Sequence, residues 1–88
     1  MNNVRGTVMT LEEEFSKYYE GCFVQSSDQR DDSIYIARSL ILTNDGRVLV
    51  GCDNANRDSH TNWAYTSLKK IECTVDMFSG ELTIGVHK

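Results

Sequence analysis

The hydrophobic period of this chain changes near residue 22. Before that point Leu11, Phe15, Tyr18, Tyr19 and Cys22 recur at spacings of three and four, which a helix gathers into one apolar stripe. Thr10-Leu11-Glu12-Glu13 reads as a capping box, in which the Thr10 hydroxyl accepts from the Glu13 amide and the Glu13 carboxylate reaches back to the Thr10 amide. Glu12, Glu13 and Glu14 lie where the positive end of a helix dipole favours acids, and Gly21 supplies a left-handed stop. A helix over 10–21 is predicted, short enough to need tertiary packing. Residues 1–9 alternate loosely and predict an extended arm or an edge strand.

From Phe23 onward the period is two. Phe23-Val24-Gln25 starts a strand, and the charged run Ser26 to Asp32 connects it to the next. Over Ser33 to Thr43, Ile34, Ile36, Leu40 and Leu42 share one face; Tyr35, Ala37, Ser39, Ile41 and Thr43 share the other. Arg38 interrupts the apolar face, which predicts a bulge near it or an end of the barrel where it reaches water. Asn44-Asp45-Gly46 between two such runs is a hairpin signal, and Val48 to Cys52 continues the strands of 23–52. The run 53–62 (DNANRDSHTN) has no aliphatic side chain larger than that of Ala55 and predicts a solvated loop. Order resumes over 63–87. Trp63 and Tyr65 share a face, Leu68 and Ile71 suggest a helical turn or bend, and Cys73-Val75-Met77 with Leu82-Ile84-Val86 forms a second hairpin about Ser79-Gly80.

These elements predict one domain over 1–88: a β-dominated α+β fold, with one N-terminal helix packed on a curled antiparallel sheet or small barrel of five to six strands. Eighty-eight residues suffice for one core and not two. No apolar run approaches the roughly 18–20 residues that span a bilayer, and Met1 to Arg5 lack the apolar centre of a secretory leader. Cys22, Cys52 and Cys73 are odd in number and far apart, as suits free thiols in a reducing compartment. A cytoplasmic protein without membrane attachment is expected, inside a host cell if the source is viral. Thirteen acids against nine Lys and Arg, net −4, disfavour a duplex nucleic-acid partner.

Candidate chemistry is sparse. Cys52 beside a loop bearing His60, with Asp53 or Asp58, is the nearest approach to a nucleophile and base, but buried thiol and solvated imidazole is the simpler reading. Three cysteines and two histidines lack the close pairs of a zinc site, and Asn54 to Asp58 lacks the glycine and glutamate of a calcium loop. No metal or cofactor is expected. The richest stretch lies between 53 and 70, where Arg57, His60, Asn62, Trp63, Tyr65, Lys69 and Lys70 combine bases, amides and aromatics in a loop carried by a sheet.

Tyr35-Ile36-Ala37-Arg38, Asn44 to Val50 and Trp63 to Ile71 stand in an order that resembles small SH3-like or Tudor-like barrels over residues 33–72. The Tudor-like resemblance implies an aromatic cage for methylated side chains, for which Tyr35, Trp63 and Tyr65 are the available rings.

Three functions are expected from these features, in order. The first is a non-enzymatic binding protein acting by stoichiometric contact, an inhibitor or adaptor of a protein partner. Accessory proteins of phages and mobile elements have this size. The second is an oligomeric protein that sequesters a small anionic ligand such as a nucleotide through 53–70, with exposed strands pairing into a homo-oligomer. The third is a small cysteine-dependent enzyme.

Overall fold

The computed structural model describes residues 9–85. The expected arm at 1–8 and the last residues of the second hairpin lie outside that range. Helix α1 spans Leu11–Tyr18. Its capping box is formed as expected: Glu13 N–H donates to Thr10 Oγ1 at 3.1 Å, and Thr10 N–H donates to Glu13 Oε1 at 2.9 Å. The helix ends in a turn at Gly21, whose φ of +80° only glycine adopts cheaply. Gly21 N–H then donates to Ala37 O at 2.8 Å, fastening the helix exit to the sheet.

Strands β1 (Phe23–Ser26), β2 (Tyr35–Leu42), β3 (Val48–Asn54), β4 (His60–Ala64) and β5 (Leu68–Lys70) form one antiparallel sheet in the order β4-β3-β2-β1-β5. A single 3-10 turn, Tyr65–Ser67, carries the chain from one edge strand to the other. In a flat sheet those edges would stand four spacings, about 19 Å, apart. Three residues of 3-10 turn rise only about 6 Å, so the sheet must curl until β4 and β5 approach. The seam is tied at Ser67, whose Oγ lies 2.7 Å from the Oγ of buried Ser26 and whose carbonyl accepts from Ser27 N–H.

The concave side holds the core. Phe15 from α1 packs among Val24, Tyr35, Ala37, Val50, Cys52 and Leu68, with Tyr19, Leu40, Trp63 and Tyr65 around them. In β2 the register shifts between Ala37 and Ser39, the bulge expected beside Arg38. The shift changes parity, so Leu40 joins Tyr35 and Ala37 on the core side; Leu42, on the same side at the strand end, is exposed. The face expected to hold Ile34, Ile36, Leu40 and Leu42 together is thereby divided. Both faces of this strand are apolar enough to be the inner one, and only the packing of α1 and β3 selects between them.

Half of the polar run 53–62, expected to be a loop, is strand. Strand β3 continues through Asn54 and β4 begins at His60, leaving residues 55–59 as the connection. Its outward positions face no other layer, so polar side chains there carry no penalty and conceal the strand's period.

Beyond the curled sheet, β6 (Cys73–Val75) and β7 (Leu82–Ile84) make a separate two-stranded hairpin. It extends the molecule to 56 × 33 × 18 Å, with a radius of gyration of 15.3 Å. A compact domain of this length would have about 12 Å.

Candidate functional site

The seven residues singled out by sequence separate into two groups. In β4, Thr61 and Trp63 oppose core residues Cys52 and Val50, so His60 and Asn62 point to the outer face of the sheet, opposite Asp53 and Gly51. Arg57 lies in the 55–59 connection beside them, exposed. The other group faces the helix. Trp63 meets Tyr35 edge to face with ring centroids 5.8 Å apart. Tyr65 meets Tyr19 in the same manner at 5.4 Å, and its hydroxyl donates to Glu14 Oε1 at 2.6 Å. Lys70 Nζ sits 5.9 Å from the ring centres of both Tyr18 and Tyr19. Lys69 opposes Gln25 on β5, away from both groups.

On the outer face the structure adds two partners. Asp53 accepts from both sides: its Oδ1 lies 2.8 Å from His60 Nδ1, and its Oδ2 accepts from Arg38 Nε at 2.9 Å. His60 Nε2 lies 3.2 Å from Asn62 Oδ1. The result is a chain Arg38–Asp53–His60–Asn62 across β2, β3 and β4. Gly51 makes room for it, since a Cβ there would stand 3.3 Å from the imidazole and 3.0 Å from Ser39 Oγ. The hydrogen bond from His60, then that from Arg38, holds the Asp53 carboxyl below its ordinary range. Asp53 in turn raises the His60 imidazole above 6.5. With oxygen acceptors at both ring nitrogens, the doubly protonated form is the one this geometry satisfies best. Arg38, Asp53, Arg57, Asp58 and His60 line an open concavity of about 440 Å³ whose apolar wall is Ile36 and Ala55.

Other arrangements raised by the sequence are not assembled. Cys52 is buried in the core while His60 lies on the opposite face, so thiol and imidazole do not meet. Burial, and secondarily the Asp53 charge, pushes the Cys52 thiol up to about 11, which leaves it protonated and unreactive at neutral pH. Tyr35 is buried against Trp63, and Tyr65 is turned to Glu14, so the three rings form no open cage. Among the described residues no group of three His, Cys, Asp or Glu is placed to hold a metal ion, and no helix is long and apolar enough to cross a membrane.

A second surface escaped the sequence reading. At the tip of the β6–β7 hairpin Met77 and Phe78 are 90% and 102% exposed. The tip is held by hydrogen bonds. Asp76 Oδ1 accepts from Phe78 N–H at 2.8 Å and Ser79 N–H at 3.2 Å, and Gly80, at φ +75°, donates to Asp76 O at 2.8 Å. Cross-strand pairs Cys73–Ile84 and Val75–Leu82 put apolar side chains on one hairpin face, where Val75 and Ile84 are also exposed. At the end of the strand pair next to the tip the hairpin is clasped by Asn56, whose Nδ2 donates to Leu82 O and whose Oδ1 accepts from Leu82 N–H, both at 2.8 Å. The available signal was two large apolar residues beside a turn glycine, where turns ordinarily carry polar ones.

Comparison of the chain with protein-family models, with curated proteins and with solved structures finds no match.

Proposed function

We propose that this chain is a non-catalytic binding protein acting by stoichiometric contact with a protein partner, as an inhibitor or adaptor, and that the β6–β7 hairpin is its contact element. The observation that carries this reading is the exposed Met77-Phe78 tip on a hairpin whose backbone is fixed by hydrogen bonds. Burying one such side chain is worth about 1.5–3 kcal/mol, which folding leaves ungained and a partner's pocket would supply. Because the turn is already ordered by Asp76, little conformational entropy remains to be lost on docking. An aromatic anchor seated in an apolar pocket is how protein interfaces concentrate affinity.

Charge narrows the partner. Between Ile71 and Gly85 lie Glu72, Asp76 and Glu81 and no Lys, Arg or His. An apolar pocket with a basic rim complements that hairpin, whereas a second copy or an anionic membrane surface would repel it. Three free thiols agree with a reducing, cytoplasmic setting. The test is capture from lysate by the wild-type chain and by a Met77→Ala/Phe78→Ala variant, with partners identified by mass spectrometry. A stoichiometric partner of the wild type should be lost from the variant while the melting temperature stays put, since neither side chain is buried. Equal capture by both, or no stoichiometric partner at all, overturns the proposal.

A further inference from the structure

The geometry points to a site for the phosphate group of a small phosphorylated ligand in the concavity between Arg38, Arg57 and His60, on the sheet face opposite α1. The site takes no residue from the hairpin, although Arg57 also lines a neighbouring concavity with Glu81 and Leu82. Arg38 arrives from the β2 bulge and Arg57 from the 55–59 connection, so two guanidinium groups from separate elements line one concavity with an imidazole. Arg38 is bound to Asp53 only through Nε. That contact orients the planar group and leaves the donors of both terminal nitrogens without a hydrogen-bond partner among the described residues. Arg57 likewise donates no hydrogen bond to any described residue; it interacts electrostatically with Asp31. A guanidinium held at one edge and free at the other presents the parallel donors that match two oxygens of a phosphate.

The charge balance makes His60 decisive. Arg38 and Arg57 face Asp53 and Asp58 around the same space, with Asp31 further off beside Arg57, so a proton on His60 tips a nearly balanced set of charges. The groups facing the imidazole are Asp53 on β3, Asn62 on its own strand, Ser39 on β2 across Gly51, and Arg38, Arg57 and Asp58 around the concavity. Asp53 favours the protonated ring, which adds a positive charge beside Arg38 and Arg57. Its 440 Å³ exceeds what a phosphate alone fills, and Ile36 and Ala55 offer the remainder of a small ligand an apolar wall.

The test uses the full chain at fixed ionic strength, titrated with inorganic phosphate, with adenosine monophosphate and with adenosine while amide and side-chain resonances are followed. Both phosphates should shift Arg38, Asp53 and His60 signals saturably, and adenosine should not. Arg38→Ala and Arg57→Ala should each weaken binding by about tenfold or more. The Arg57 side chain donates no hydrogen bond to any described residue, so Arg57→Ala keeps the test valid should Arg38→Ala loosen the bulge. With sulfate, whose own charge is constant near neutral pH, binding should tighten as pH falls, and His60→Gln should flatten that slope. Shifts that do not saturate, or binding indifferent to Arg57→Ala, overturn the assignment.

Discussion

The side chain of Asn56 decides how firmly the hairpin is presented. A primary amide that donates to Leu82 O and accepts from Leu82 N–H, both at 2.8 Å, copies what a neighbouring strand would offer, and it closes an edge of β7. Asn56 is itself positioned by its own N–H, which donates to Asn54 Oδ1 at 2.9 Å. A two-stranded hairpin is marginally stable in water, so this clasp contributes much of what keeps β6–β7 ordered. Asn56→Ala deletes both bonds. At about 0.5–1.5 kcal/mol net for each, local opening should become easier by about 1–3 kcal/mol, a rise of about 5- to 150-fold in the opening constant. Native-state hydrogen exchange reads this directly. The Leu82, Asp76 and Gly85 amides, which donate to Asn56, Glu81 and Glu72 respectively, should lose protection by that factor. Amides of Val24 and Val50 in the curled sheet should not change. Asn56→Asp keeps the acceptor but sets a carboxylate against Leu82 O, so it should be no better than alanine. Unchanged protection at Leu82 would refute the clasp. Equal loss at Val50 would show that hairpin and sheet open as one unit, which refutes the separation drawn between them.

Two further outcomes follow from single contacts. Tyr65→Phe removes the donor to Glu14 that ties α1 to the end of β4. With the carboxylate in water, about 1 kcal/mol should be lost, a fall of about 4–8 °C in melting temperature, and Glu14→Gln should lower the melting temperature in the Tyr65 background but not in the Tyr65→Phe background. The second outcome concerns pH. His60 has its pKa raised by Asp53, so its contribution to stability is fully present below its unfolded value of 6.5 and is lost as pH rises through the higher folded value. The melting-temperature difference between wild type and His60→Ala should therefore be largest below pH 6.5 and should shrink on the alkaline side; a pH-independent difference would rule out the Asp53–His60 coupling.

Much of the fold was legible from neighbours in the chain. The capping box at Thr10 and Glu13, the glycine stop at 21 and the turns at Gly46 and Gly80 depend on residues within four positions of one another, and each stands where local chemistry demands it. The bulge at Arg38 announced itself as a charge within an apolar alternation. Polar strands were not legible: Asp53-Asn54 and His60 to Asn62 satisfy a sheet through backbone bonds while their side chains face solvent, and a period-two hydrophobic signal cannot arise there.

What the sequence by itself determined is a β-dominated chain with one helix, two hairpins and no close-spaced catalytic or metal-binding motif. Tertiary structure alone decided which face of β2 turned inward, sent Trp63 and Tyr65 to the helix side, and brought Arg38 to Asp53 and His60 from three strands. The reason is range. Caps and turns are settled by torsions and hydrogen bonds between near neighbours, whereas a site built across strands exists only once register and curl are set by core packing far along the chain.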